Sequence, residues 1–409
     1  MLCNIVACIL AGGEGTRLLP LTIHCAKPAV RFGGSYRLID FTLSNCVNSD
    51  IHQMFVLPQY QAGSLEDHLR QGWSCFSPPC GTYVMSIQPP MGSGGYRGTA
   101  DAVYQQLSLL EPLNPTHVLI LGSDHVYQMD YRHLLQFHQA HWADVTVATF
   151  PVPRHQAFQF GIVAADALGE VTGFLEKPSD ELSLPIGDSM LLASMGIYLF
   201  RFTVLQEVLG QDAQRRSTHD FGREILPGML GRYRVAAFPF VEGIAKAPAY
   251  WRDVGTIDAY WEAHMDLLGP HTRFQLSPPQ WPLRATPAQG PPTTFGSPGD
   301  LGAGQVGGVT NSIIAQGCQL LGGYVDRAVL SPGVWIEAEA EVQESILGDG
   351  VYIGRGARVR HAILDYGSVV PPGSRIGFDL AADGEQFTVS DRGITVIGDA
   401  PMARALAPL

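Results

Sequence analysis

From about residue 309, small or aliphatic residues recur every six positions. Ala328, Val334, Ala340 and Ile346 are followed, after one five-residue step, by Val351, Ala357, Ile363 and Val369. Turn formers stand between them, as in Gly348, Gly350, Gly354, Gly356 and Pro371-Pro372-Gly373. A small antiparallel β domain accommodates some of this. A six-residue period with one short strand per repeat is the mark of a hexapeptide parallel β-helix, whose inward residues stack from coil to coil. Such a coil has open ends, so a capping segment and packing against a neighbouring domain or second subunit are expected.

The preceding residues follow a different rule. Asn4 to Leu10 form an apolar run that fits a strand buried on both faces. Ala11-Gly12-Gly13-Glu14-Gly15-Thr16-Arg17-Leu18 comes next; its glycines let backbone N–H groups approach a ligand, and Arg17 offers a cationic fork for phosphate. This is neither a Walker A loop nor a dinucleotide fingerprint, so a plain turn stays open on this stretch alone. Val118–Leu121 reads as a buried strand ending at Gly122-Ser123-Asp124. Val145–Phe150 reads as another, stopped by Pro151, and Tyr131–Ala140 has helical spacing. Strand–helix alternation predicts an α/β, Rossmann-like, mostly parallel sheet that binds ligands at its strand carboxyl ends. The expected division is 1–275 for this domain, a Pro/Gly-rich connection over 276–308, and the β-helix over 309–409.

A chain of 409 residues with 46% apolar and 16% charged residues is globular, with room for two or three domains. The net charge of −12 argues against nucleic-acid binding, and any anionic substrate needs a locally basic pocket. Seven cysteines without a C-x-x-C pair suit a reducing cytoplasm; Cys75 and Cys80 are the nearest candidates for a pair. No apolar stretch reaches the ~18 residues of a membrane span.

Several residues are placed to do chemistry. Lys27 in Ala26-Lys-Pro-Ala-Val30 sits among apolar residues, where a phosphate would explain its charge. Tyr96 in Gly95-Tyr-Arg-Gly-Thr-Ala-Asp-Ala-Val103 offers a face to a base or sugar, or packs; Thr99 can cap the helix that follows. Asp124 and Asp253 are carboxylates suited to Mg²⁺ beside phosphates, or simply caps. Glu176 and Lys177 form either a sugar-phosphate clamp or a surface ion pair. Asp220-Phe-Gly222 lacks the other kinase signatures, so a kinase is set aside.

Taken in order, Leu10–Leu18, Ala26–Val30, Tyr36-Arg-Leu-Ile-Asp-Phe41 with Leu43-Ser-Asn-Cys46, Tyr96–Val103, Asp124-His-Val-Tyr127, Glu176-Lys-Pro178, Ala193-Ser-Met-Gly-Ile-Tyr198, His219-Asp-Phe-Gly222 and Tyr250-Trp-Arg-Asp-Val-Gly-Thr256 resemble the ADP-glucose pyrophosphorylase branch of the sugar nucleotidyltransferases over nearly the whole chain. The resemblance implies a left-handed β-helix after the catalytic domain. It also implies ATP and α-glucose 1-phosphate as substrates, ADP-glucose and pyrophosphate as products, Mg²⁺, a homotetramer and small-molecule effectors. By motif, Gly12, Gly13 and Arg17 hold the triphosphate, with Lys27 beside it. Gln88 and Tyr96 lie at the base, Asp124 and Asp253 hold metal, and Gly161, Glu176, Lys177 and Ser194 bind glucose 1-phosphate. Arg17, Lys27 and Asp124 are the expected catalytic residues. A catalytically weak regulatory subunit, or an enzyme using another nucleotide, are the alternatives. Some positions that are basic or aromatic in many members differ here: Glu14, His24, Cys25, Gly95 and the acidic Asp383-Gly-Glu385. A sugar-phosphate activator would meet fewer cations, so weak or altered activation is expected.

Overall fold

The computed structural model describes residues 4–74, 81–90, 92, 94–179, 189–242, 247–270, 272–285, 290–296 and 307–398; the Cys75–Cys80 candidate pair lies outside them. Cys8, Cys25, Cys46 and Cys318 carry free thiols. No described helix is long and apolar enough to cross a membrane.

The first unit is built on one sheet with nine described strands: β1 (Ile5–Ala11), β2 (Gln53–Pro58), β3 (Tyr83–Ser86), β4 (His117–Gly122), β5 (Val145–Pro153), β6 (Gly161–Ala165), β7 (Val171–Glu176), β8 (Met190–Arg201) and β9 (Val235–Pro239). Their order is β7-β6-β8-β4-β1-β2-β3, with β5 on β8 and β9 on β5. β1 is central and parallel to both β2 and β4. Alternate β1 residues enter opposite cores, Val6 and Cys8 on one face, Ala7 and Ile9 on the other. The chain winds outward through β2 and β3, then returns to β4 on the far side of β1. The topological switch therefore falls between β1 and β4, where ligand crevices form in such sheets. β8 runs antiparallel to β4 and β5, which makes the second half of the sheet mixed. A register shift between Ser194 and Tyr198 lets β8 pair with β6 before the shift and β4 after it. The helix over Tyr131–Ala140 forms as expected, capped by Asp130. β5 does not stop at Pro151 but continues to Pro153. Its pairing with β9 ends at Thr149, so the missing Pro151 N–H removes no bond on that side.

The second unit is a three-walled coil of short parallel strands, the arrangement expected of a left-handed β-helix. One wall stacks Thr294–Phe295, Gln319–Leu320, Trp335–Ile336, Tyr352–Ile353 and Val369–Val370. Trp335, Tyr352 and Val369 are in register, a step of 17 residues rather than three full hexads. The phase therefore slips by one residue in each of these two coils. Ser345, Ala362 and Ser368 take the buried repeat positions expected at Ile346, Ile363 and Val369. Ile346 and Ile363 instead face the first unit, in a shared apolar cluster with Phe32, Leu38, Val254 and Tyr260. Trp261 stacks on His361 at 4.5 Å, so that histidine serves packing. The chain between the units is not all loose connection. Trp281 Nε1 donates to Asn45 at 2.7 Å and Ala285 is buried, while Thr294–Phe295 already pairs with the first coil.

Candidate active site

The glycine loop leaves β1 and turns at Gly15, whose φ of 69° suits glycine. Thr22 Oγ1 donates to Gly15 O at 2.8 Å, and a Cβ on Gly15 would sit 3.2 Å from Lys27 Cβ. The loop thus folds back on Lys27–Ala29, a short 3₁₀ turn that is buried. Lys27 Nζ lies 2.5 Å from Asp124 Oδ2 and 3.7 Å from Asp253 Oδ1. Asp124 follows β4 and Asp253 ends the short strand Trp251–Asp253, which pairs with His125–Tyr127. Two residues far apart in sequence thereby face one ammonium. Burial disfavours the Lys27 charge, but both carboxylates outweigh it and raise its pKa. Burial likewise opposes the Asp124 charge, and Lys27 and His125 more than offset it, holding that carboxyl well below the usual range.

Asp124, His125 and Asp253 bring three metal-competent atoms within 4.8 Å of one another. Two hard carboxylates beside a phosphate-type loop fit Mg²⁺. His125 Nε2 stands 3.6 Å from Asp124 and 4.0 Å from Asp253, a placement that neighbouring Asp124 in sequence alone did not reveal.

A cavity of about 420 Å³ opens beside this cluster. Of the expected site residues, Gly12, Gly13, Tyr96, Asp124 and Glu176 line it. Lys27 adjoins it through Asp124, while Asp253, on the other side of Lys27, lines a neighbouring cleft. Gly161 supports the wall: it pairs with Glu176 across β6 and β7, and its Cβ would lie 2.7 Å from Glu176 Oε2. Ser194 is buried at the β8 shift and accepts from Gly196 N at 3.2 Å, while Gly196 lines the cavity. Lys177 is more than half exposed, with Nζ 3.8 Å from Glu176. Arg17 is exposed and lies on the Asp253 side, since a Cβ on Gly255 would be 3.0 Å from its guanidinium and 3.2 Å from Asp253. Gln88 does not line the cavity; its amide donates to Glu66 at 2.6 Å. The Tyr96 hydroxyl points inward to Ile87 O at 2.9 Å, and burial pushes its pKa up to about 12.

The sequence reading missed Gln59, Tyr60, Thr99, Tyr198 and the Asp220-Phe221-Gly222 turn as lining residues. Thr99 is not a helix cap: its hydroxyl donates to Asp220 at 3.0 Å and accepts from Phe221 N. Asp220 caps the next turn by accepting from Gly222 N and Arg223 N. A Cβ on Gly222 would meet Glu176 Oε2 at 2.5 Å, so glycine there leaves room for that carboxylate. Burial raises the Glu176 pKa; Lys177 opposes the shift and Asp220 adds to it.

Comparison with known proteins matches this division of labour. Residues 6–269 fit the model of the family described as Nucleotidyl transferase, and residues 291–397 fit that of the GlmU-like C-terminal hexapeptide. The glucose-1-phosphate adenylyltransferase of Koribacter versatilis is 44% identical over 95% of this chain and 94% of its own. Glucose-1-phosphate adenylyltransferase 2 of Vibrio parahaemolyticus is 45% identical over 96% of this chain and 98% of its own. The glucose-1-phosphate adenylyltransferase of Rhodopirellula baltica is 43% identical over 98% and 91%. With a glycine loop, a lysine and paired aspartates set at the switch point of one such sheet, and relatives matched along almost their full length, the chain belongs to the nucleotidyl transferase family, in its glucose-1-phosphate adenylyltransferase branch.

Proposed function

We propose that the chain transfers the adenylyl group of ATP to α-D-glucose 1-phosphate, giving ADP-glucose for α-glucan synthesis and pyrophosphate. The observation that carries this reading is the convergence of Lys27, Asp124 and Asp253 beside the glycine loop. In the reaction a phosphate oxygen of the sugar attacks the α-phosphorus in line. The α–β P–O bond breaks and its electron pair leaves on pyrophosphate, so no protein nucleophile is needed. The protein's work is to position and neutralise two anions. Gly12 and Gly13 present backbone to the triphosphate, and Arg17 supplies charge at the Asp253 side. Lys27 faces the reacting phosphates. Glu176 accepts sugar hydroxyls, with Gly161 and Ser194 shaping that wall, and Lys177 binds the sugar's phosphate. Tyr96 offers its ring to the base, and Gln88 reaches the base once Glu66 releases it. Asp124 and Asp253 would hold Mg²⁺, which supplies charge neutralisation of the phosphates.

Homotetramer assembly and a cytoplasmic location belong to the same proposal, as does the division at 275 and 309. Within that connection Trp281 packs on Asn45, and Thr294–Phe295 adds a rung beside the first coil. His24 and Cys25 line a cavity of about 420 Å³ between the units, where Arg31 is already paired with Asp349 and Arg37 donates to Ala29 O. That supports weak or altered activation by sugar phosphates.

Pyrophosphate release from glucose 1-phosphate, with Mg²⁺ and each of ATP, UTP, dTTP and GTP, tests the reading. Release with ATP alone is expected. Release with another nucleotide would reassign the base site, and none from folded protein would favour a regulatory subunit.

A further inference from the structure

The helix Ile257–Met265, here α1, carries Asp258 and Glu262, and Asp266 follows at its C-cap. Residues spaced four apart share one helix face. An acid at a helix C-terminus is opposed by the helix dipole, so Asp266 needs a partner. It has a strong one: Arg252 donates to it from Nε at 3.0 Å and from a terminal nitrogen at 2.8 Å, and Tyr250 OH adds a bond at 2.9 Å. At the other end Ser390 Oγ donates to Asp258 at 2.5 Å. In the middle Glu262 is shared. It pairs with Arg392 through Oε1 and lies 3.5 Å from Arg252 through Oε2.

Ser390 and Arg392 belong to the end of the β-helix, next to Ile394 and Val396, which are buried against Ile257 and Tyr260. Arg252 immediately precedes Asp253 in a three-residue strand. Successive strand side chains point to opposite faces. Anchoring Arg252 on α1 therefore directs Asp253 the other way, towards Lys27 and Asp124. A cleft of about 690 Å³, lined by Arg17, Arg252, Asp253, Glu262 and Arg392, runs along this same path.

We propose that Arg392, acting through Glu262 and Arg252, is a positioning residue for Asp253, so that docking of the β-helix sets the metal affinity of the active site. This rests on the reading of Asp124 and Asp253 as metal ligands.

The test is a Mn²⁺ titration of the full-length protein without substrate, followed by electron paramagnetic resonance, on wild type, Arg392→Ala, Arg392→Lys and Asp253→Asn. Arg392→Ala is expected to weaken Mn²⁺ binding about threefold, because Asp266 still holds Arg252 and the Arg392–Glu262 pair is largely exposed. Arg392→Lys should recover most of it. The sign discriminates between roles, because deleting a cation for electrostatic reasons alone would tighten binding. If Asp253→Asn loses the site while Arg392→Ala binds as tightly as wild type or more so, the positioning role is overturned and the metal site stands. If Asp253→Asn binds like wild type, the metal reading fails and the proposal falls with it. Should the alanine variant not fold, Arg392→Gln, which keeps the stem, decides in its place.

Discussion

Lys27→Met removes one charge while keeping an unbranched stem in a buried turn. The ammonium has carboxylate oxygens at 2.5 and 3.7 Å, on side chains less than a third exposed. At an effective dielectric of ~20, a unit charge 4 Å from another is worth about 4 kcal/mol. Attraction to the two aspartates is already present in the resting enzyme and accelerates nothing. Only the part that strengthens as charge shifts towards the leaving pyrophosphate lowers the barrier. Taking about 3 kcal/mol for that part gives a fall in kcat of roughly 10². A second consequence has the opposite sign. Without Lys27 the carboxylates lose their shared cation, and Mg²⁺ should bind them at least as tightly as before. The assay is pyrophosphate release against Mg²⁺ concentration, with circular dichroism to check the fold. A kcat within threefold of wild type would refute the reasoning, as would recovery by excess Mg²⁺, which would make Lys27 a mere neutraliser.

Asp124→Ala should nearly abolish turnover in folded protein; more than half the activity remaining would sink its assignment. Gly98→Ala should leave little folded protein, because the new Cβ would lie 2.2 Å from Thr218 O and 2.3 Å from His219 O, both backbone atoms. Gly13→Ala has no atom within 4 Å of its Cβ, so its melting temperature should match wild type while its KM for ATP rises; an unchanged KM would remove that glycine from the triphosphate loop. Burial lowers His117 to about 4 and His138 to about 3, with Arg201 adding to both shifts and the neighbouring His117 to the second. The unfolded chain, with histidine near 6.5, binds more protons in that range, so stability present above pH ~6.5 should drain away as pH falls towards 3. A melting temperature flat from pH 7 to 4 would contradict this. Fructose 1,6-bisphosphate should produce little rise in turnover, and a large one would count against the lost-cation argument.

Much of the architecture was written locally. An apolar run followed by glycines can only be a buried strand leading into a close turn, and that is what Ile5–Gly15 forms. The six-residue rhythm announced the β-helix, because each strand must send one small residue inward at every corner. Its phase was not legible. A 17-residue coil differs from three hexads by a single position, and only stacking shows that Ser345 and Ala362 face in while Ile346 and Ile363 face out.

The site divides in the same way. Lys27 stood out because its charge sits among apolar residues, whereas Asp124 and Asp253 read equally well as caps until the family motifs singled them out. That they meet at one point depends on the pairing of Trp251–Asp253 with His125–Tyr127, more than a hundred residues apart, and on the return of β4 beside β1. Gln88 shows the converse, a motif residue turned to Glu66 by a contact that its own segment does not announce. Local chemistry determined which residues carry charge, turn or strand. Tertiary pairing alone decided which of them share a cavity, because the energy that brings them together resides in sheet register and buried faces rather than in adjacent side chains.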